Sequence, residues 1–232
     1  MATYQKKRSE VTLLSLVQEA FINGVSTRKV ERLARSLGIE GISASQVSEI
    51  TKGLDERVEE FRTRGLREEY PFLWIDAIYE KVRVEGKVES VAVMVAYGVD
   101  MEGQREVLAV EPMWEESEDT WREFMRGLKR RGVKRVWLVI SDAHRGIQAA
   151  HLYNFPEVDK RRIASTNVLE RTNREIMRRS RVVGVFPSIK SYLRLVTAYL
   201  IECTEDRANE NARIKADKLH PLLEQGLAQA GN

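Results

Sequence analysis

The sequence has one cysteine, three histidines and no apolar run long enough to span a bilayer. Cys203 alone can neither close an internal disulfide nor build a thiolate zinc site, and its plain reading is a buried thiol beside Ile201. His144, His151 and His220 stand at no spacing that a zinc centre uses. The longest apolar runs, residues 91–97 and 136–140, fall far short of the roughly 20 residues of a transmembrane helix. The opening MATYQKKRSE is basic and polar with no apolar stretch behind it, so the expectation is a cytoplasmic protein with no secretory leader and no membrane partner.

What is present is enough apolar material for a core, 43% of residues, and much charge, 31%, that nearly cancels to +3. The distribution therefore carries more information than the sum. Residues 160–181 hold Lys160, Arg161, Arg162, Arg171, Arg174, Arg178, Arg179 and Arg181 against Glu170 and Glu175 alone. Such a segment either follows a phosphate backbone or forms a solvated helix face, and charge alone does not choose.

The first third of the chain reads as three helices. Val11, Leu14, Val17, Ala20 and Phe21 recur at helical spacing before Asn23-Gly24. Val30, Leu33, Ala34 and Leu37 mark a second helix, capped by Ser26 or Thr27 and stopped at Gly38. A third opens at Ser43 or Ser45 and runs through Val47, Ile50, Leu54 and Val58 toward Arg64. This order suits a helix-turn-helix unit with Ser43, Ser45, Gln46, Ser48 and Lys52 facing DNA, although small helical bundles of other function share it. Residues 62–69 read as a polar hinge.

From Phe72 the period becomes extended. Residues 72–84, 90–99 and 105–110 read as strands joined by short turns, an antiparallel meander. Residues 117–131 follow as a helix with Trp121, Phe124, Met125 and Leu128 inward, and residues 136–140 as a buried parallel strand. The β-β-β-α-β order is that of an α/β mixed sheet of the ribonuclease H-like kind, preceded by the helical unit. The expected divisions are 1–66 for the helix-turn-helix unit, 67–205 for the sheet domain and 206–232 for a helical tail.

Two aspartates stand out in this frame. Asp76 sits mid-strand among Trp74, Ile75, Ala77 and Ile78, where a carboxylate is costly unless paired, hydrogen-bonded or bound to a cation. Asp142 follows the fourth strand, which neighbours the first in the expected sheet, so the two acids converge at one edge. Converging carboxylates repel unless a hard divalent cation bridges them, which is the case for Mg²⁺ or Mn²⁺. Plainer roles compete: Asp142 as a helix N-cap, Asp76 paired with a core arginine, and Glu170 as the N3 member of a capping box opened by Asn167. His144 either orients a carboxylate or phosphate or is a surface histidine.

Several blocks together resemble the bacterial Mutator-type insertion-sequence transposases. FLWIDAIYEKVR is similar to the family's block around its first aspartate, LVISDAHRGIQAA to that around its second, and STNVLERTNREIMRRSRVVGVFPS to that around its glutamate. NGVSTRKVERLARSLG and GISASQVSEI resemble its helix-turn-helix, and ESEDTWREFMRGLKRRGV its helix between the third and fourth strands. The resemblance implies a DDE transposase in which Asp76, Asp142 and Glu170 hold two Mg²⁺ or Mn²⁺ ions on a ribonuclease H-like sheet. Water and then a DNA 3′-hydroxyl would be the nucleophiles. It further implies double-stranded DNA partners (transposon ends and target), Arg171, Arg174, Arg178 and Arg179 along the transposon end, a homodimer or higher oligomer, and a nucleoid-associated location. Two departures stand against the family pattern. The chain passes from Ala150 directly to His151, where relatives carry a mostly helical insertion, a fifth strand and a Cys-x-x-His element. The region that relatives carry upstream of the helix-turn-helix is also missing. The expectation is a shortened, internally deleted member of reduced or lost activity, or a non-catalytic DNA-binding remnant that competes or co-assembles with a full-length enzyme.

Overall fold

The computed structural model describes residues 2–36, 42–114, 117–141 and 167–208. Four helices, α1 (Ala2–Ile22), α2 (Thr27–Ser36), α3 (Ala44–Lys52) and α4 (Asp55–Thr63), precede three strands, β1 (Glu69–Val84), β2 (Lys87–Val99) and β3 (Arg105–Met113). Helix α5 (Glu118–Arg130) leads to β4 (Arg135–Ser141), and α6 (Asn167–Ser180) and α7 (Ile189–Ala208) complete the described chain.

Among the described residues the sheet has the order β3-β2-β1-β4. Strand β1 pairs antiparallel with β2, with Asp76 opposite Val95, and parallel with β4, with Ile75 opposite Ser141. Alternation along the strands divides the core in two. Phe72, Trp74, Ile78 and Val82 face Ile176 of α6 and Tyr192, Leu195, Val196 and Leu200 of α7. Leu73, Ile75, Met94 and Leu108 face Trp121, Phe124 and Leu128 of α5.

Helix α5 opens as expected at Ser117, whose Oγ accepts from the Thr120 amide at 3.2 Å. Its buried stripe is Trp121, Phe124 and Leu128. Met125, expected inward, is exposed because the sheet covers only that narrow stripe. Leu33 of α2 departs in the same way, since only Val30 and Ala34 of that helix are buried.

The helix expected to run unbroken from Ser43 toward Arg64 is two helices. Its halves serve different cores: Val47 packs with Val17 and Val30, whereas Leu54 and Val58 pack with Ile22 and with Ala198 of α7. One straight helix cannot aim both sets, and the break falls at Gly53 and Leu54. Helix α1 also starts at Ala2, ahead of the expected Glu10, through Gln5, Lys6, Lys7 and Arg8, which favour a helix without creating an apolar stripe.

Helix α7 lies between the sheet and the N-terminal helices. Arg194 is buried there and grips Asp55 through both carboxylate oxygens, at 2.5 and 3.1 Å, and Lys190 reaches the same carboxylate at 3.0 Å. Burial pushes the Asp55 carboxyl upward, but the hydrogen bonds from Arg194 and Lys190 outweigh it and hold the group below its ordinary range. The stretch read as a polar hinge is fastened to the sheet. Arg62 donates to the Val110 carbonyl at 3.0 Å, Arg64 to that of Val107 at 2.7 Å, and Arg131 back to the Arg64 carbonyl at 3.0 Å. Cys203 is half-buried rather than fully enclosed. No helix among the described residues is long and apolar enough to cross a membrane.

Candidate functional site

Asp76 lies near the middle of β1 on the face covered by α6 and α7, and it is half-buried. Its Oδ1 accepts from the adjoining Ala77 amide at 2.8 Å. Its Oδ2 accepts from the side-chain amide of Asn173 on α6. One further pair fixes how α6 lies along β1: the Ser180 hydroxyl donates to the carboxylate of Glu80. Asn173 opposite Asp76 and Ser180 opposite Glu80 mean that the helix and the strand run in the same direction. Ile176, between those two contacts, is buried in the sheet core.

Glu170 stands in the first turn of α6, three residues before Asn173. Residues three apart share a helix face, so Glu170 lies about 5 Å up the axis from the residue that touches Asp76. That is toward the end of β1 where β4 is paired, and the described part of β4 closes with Ser141 opposite Ile75. The next residue, Asp142, lies outside the described residues, as do His144, His151, His220 and the basic residues 160–162. Asn167 and Glu170, the proposed capping pair, both lie within α6, as its first and fourth residues.

The chemistry of this corner suits a hard cation. Among the described residues, the Asn173 Oδ1 atom is buried with no hydrogen-bond partner, directly beside the carboxylate that its own Nδ2 holds. A carboxylate with an amide oxygen beside it offers hard oxygen ligands of the type Mg²⁺ and Mn²⁺ take, while the Ala77 amide and the Asn173 side chain each donate to Asp76. Among the described residues, which exclude Asp142, no cluster of three His, Cys, Asp or Glu side chains forms. Asn173 was absent from the expected site. Its signal in the sequence is a Glu-x-x-Asn step at helical spacing, one residue short of a far more conspicuous basic run.

The arginines of α6 divide into two kinds. Arg171, Arg174 and Arg178 are exposed, and Arg178 pairs with Glu175 at 3.0 Å. Hydrogen bonds from Arg178 and then Arg179 hold the Glu175 carboxyl below its ordinary range. Arg179 departs from the expected place along DNA. It is buried, donates to the Ile22 carbonyl at 3.0 Å and lies 4.0 Å over the Tyr199 ring, tying α6 to α1 and α7. Gly24 makes this approach possible: it has φ 75°, and a Cβ there would come within 2.9 Å of the Arg179 Cα.

Of the residues expected to meet DNA from the helical unit, Ser43 and Gln46 are engaged in a capping box at the start of α3, each side chain bonding the other's backbone amide, at 2.8 and 3.3 Å. Ser45, Ser48 and Lys52 form an exposed stripe opposite buried Val47 and Thr51, and Lys52 pairs with Glu49 at 2.6 Å.

Comparison with known proteins gives one consistent result. A family model described as "Transposase, Mutator family" matches residues 2–159 and 148–209. The transposase for insertion sequence element ISRM5 of Rhizobium meliloti is 32% identical over 303 aligned positions, covering 97% of this chain and 76% of the relative. That for IS1081 of Mycobacterium tuberculosis is 34% identical over 278 positions, covering 85% and 67%. That for IS256 in transposon Tn4001 of Staphylococcus aureus is 39% identical over 157 positions, covering 67% and 40%.

Proposed function

This chain belongs to the Mutator family of transposases, and from that premise we propose that it binds double-stranded DNA at the ends of a mobile element through a ribonuclease H-like domain whose acidic site is Asp76, Asp142 and Glu170. The observation that carries this reading is the hydrogen bond from Asn173 to Asp76, because it seats the glutamate-bearing helix on the aspartate-bearing strand. The parallel register that brings Ser141 opposite Ile75 supports the place of Asp142 in the set.

Asp76, Asp142 and Glu170 would hold a divalent cation such as Mg²⁺ or Mn²⁺, which would supply Lewis acidity for a phosphoryl displacement. The chain's own groups do the rest. Asn173 fixes the rotamer of Asp76 by donating its side-chain amide to the carboxylate. Arg171, Arg174 and Arg178 neutralise phosphates along α6 and release the counterions held there. Residues 1–66 act as the helix-turn-helix unit, with Ser45, Ser48 and Lys52 at the groove, residues 67–205 as the catalytic-type domain and 206–232 as a tail. Paired ends call for a homodimer or higher oligomer.

A second reading has its own support. The family model matches in two pieces that meet near residues 148–159, and the alignment to the Rhizobium relative spans 303 positions although this chain has 232 residues. Both fit a chain that lacks an internal segment, and such a chain is a DNA-binding member of reduced or lost cutting activity that competes or co-assembles with a complete enzyme. The deciding experiment is cleavage of DNA carrying the element's ends by the wild-type chain and by Asp76→Asn. Mg²⁺-dependent cutting by the wild type alone supports the enzyme. Retention on DNA that weakens steeply with salt, with no cutting by either protein, supports the remnant. Equal cutting by both refutes the site.

A further inference from the structure

The turn that follows α6 is held by a run of backbone hydrogen bonds. Arg181 donates to the Met177 carbonyl at 3.1 Å, Val182 to that of Arg179 at 3.3 Å, and Val183 and Gly184 to that of Ser180 at 2.9 and 3.3 Å. Gly184 turns at φ 75°. Phe186 then plugs the core and bonds β1 from both sides, its amide donating to the Lys81 carbonyl at 2.9 Å and its carbonyl accepting from Arg83 at 2.8 Å. Its ring lies 4.9 Å from that of Tyr192. Both ends of the turn are therefore locked.

On this rigid support stand Val182, Val183 and Val185, which are 46%, 37% and 37% exposed, with Met177 at 38% one turn earlier. A fixed apolar knuckle on a wet surface marks a contact. Its surroundings indicate the partner: Arg178 and Arg181 at the end of α6, and Lys81 and Arg83 in the β1 stretch bonded to Phe186, are exposed beside it, with Arg174 exposed further back along α6. Of the nearby carboxylates, Glu175 is held by Arg178 and Arg179, and Glu80 accepts from Ser180, leaving Glu85 at the hairpin tip and Glu89, opposite Val82 on β2, exposed. An apolar point within a cationic collar matches a polyanion whose interior is apolar, which is a nucleic acid with its base stack.

We propose that residues 182–185, with Met177, form an apolar wedge that enters the DNA duplex and unstacks a base step while the surrounding arginines hold the phosphates. Apolar side chains inserted in this way kink the duplex and increase the protein surface it meets. The inference rests on the DNA-binding reading above and adds where and how the duplex is deformed. Val82, the β1 residue bridged to Phe186, lies six positions beyond Asp76, about 20 Å at ~3.3 Å per strand residue.

The test uses the full chain, a Val182→Ser/Val183→Ser variant and an Arg174→Ala variant with duplexes carrying 2-aminopurine at successive positions. Because both valines are exposed, the serine variant retains its circular dichroism. The wild type brightens 2-aminopurine. The serine variant binds about tenfold more weakly at every salt concentration, with no brightening and an unchanged slope of log affinity against log salt, since it removes no counterion-releasing contact. Arg174→Ala keeps the brightening and loses about one unit of slope. Equal affinity and brightening in wild type and serine variant overturn the wedge while DNA binding stands. The wedge is likewise overturned if the serine changes instead abolish self-association in sedimentation, or binding to phosphatidylserine vesicles, with DNA binding intact. A wild type that does not bind DNA at low salt overturns both the wedge and the reading beneath it.

Discussion

The side-chain amide of Asn173 donates to the carboxylate of Asp76 across 97 positions of sequence, and this contact locks α6 onto the strand at the centre of the sheet. A hydrogen bond to an ionised, half-buried carboxylate contributes roughly 1.5–3 kcal/mol. Asn173→Ala is therefore expected to lower the urea midpoint by a corresponding amount with an unchanged slope. Asn173→Asp sets two carboxylates face to face, so its deficit at neutral pH is larger and shrinks on acidification as one of them takes up a proton.

Asp55 gives a second, pH-dependent test. Its pKa is lowered in the folded chain, so its stabilising contribution is complete above the unfolded value of about 3.9 and is lost as pH falls through the lower folded value. Denaturant titrations of wild type and Asp55→Asn should differ at pH 7 and draw together only as pH falls from about 4 through the lower folded value. A difference that persists unchanged into acid would show that Arg194 and Lys190 do not act on an ionised Asp55.

Arg174 and Arg179 should behave oppositely. Arg179 packs against Tyr199 and satisfies the Ile22 carbonyl, so Arg179→Ala loses stability by roughly 2–4 kcal/mol as a broken buried interaction. Arg174 is exposed, so Arg174→Ala changes the melting temperature little and instead flattens the salt dependence of DNA retention.

Gly24→Ala should destabilise by more than about 1 kcal/mol, since a methyl group there meets both a left-handed backbone and the Arg179 main chain. Calorimetry of the variant checks this.

Helix α5 was legible because one buried face enforces its period, and the strands because buried runs of β-branched and aromatic residues are closed by short turns. Helix α7 was not, and the reason is physical. Tyr192, Leu193, Leu195, Val196, Ala198, Leu200 and Ile201 are buried on several sides, between the sheet and α1 and α4, so no polar stripe marks the helical turn. The break between α3 and α4 was hidden for a related reason: it depends on Ala198, which is distant in sequence. At the candidate site, Asp76 was conspicuous because a carboxylate interrupts an apolar strand. Asn173, neutral and embedded in a basic run, acquires meaning only from the strand it meets. Arg179 looked like its exposed neighbours until α1 and α7 closed over it.

The proposed function requires that Asp76, Asp142 and Glu170 share a divalent cation, and Mn²⁺ anomalous scattering from crystals of this chain tests that most directly. A peak is expected about 2.1 Å from carboxylate oxygens of Asp76 and Glu170, with Asp142 completing the set. Full Mn²⁺ occupancy elsewhere with none at Asp76, or a Glu170 carboxylate turned away from that strand, would contradict it.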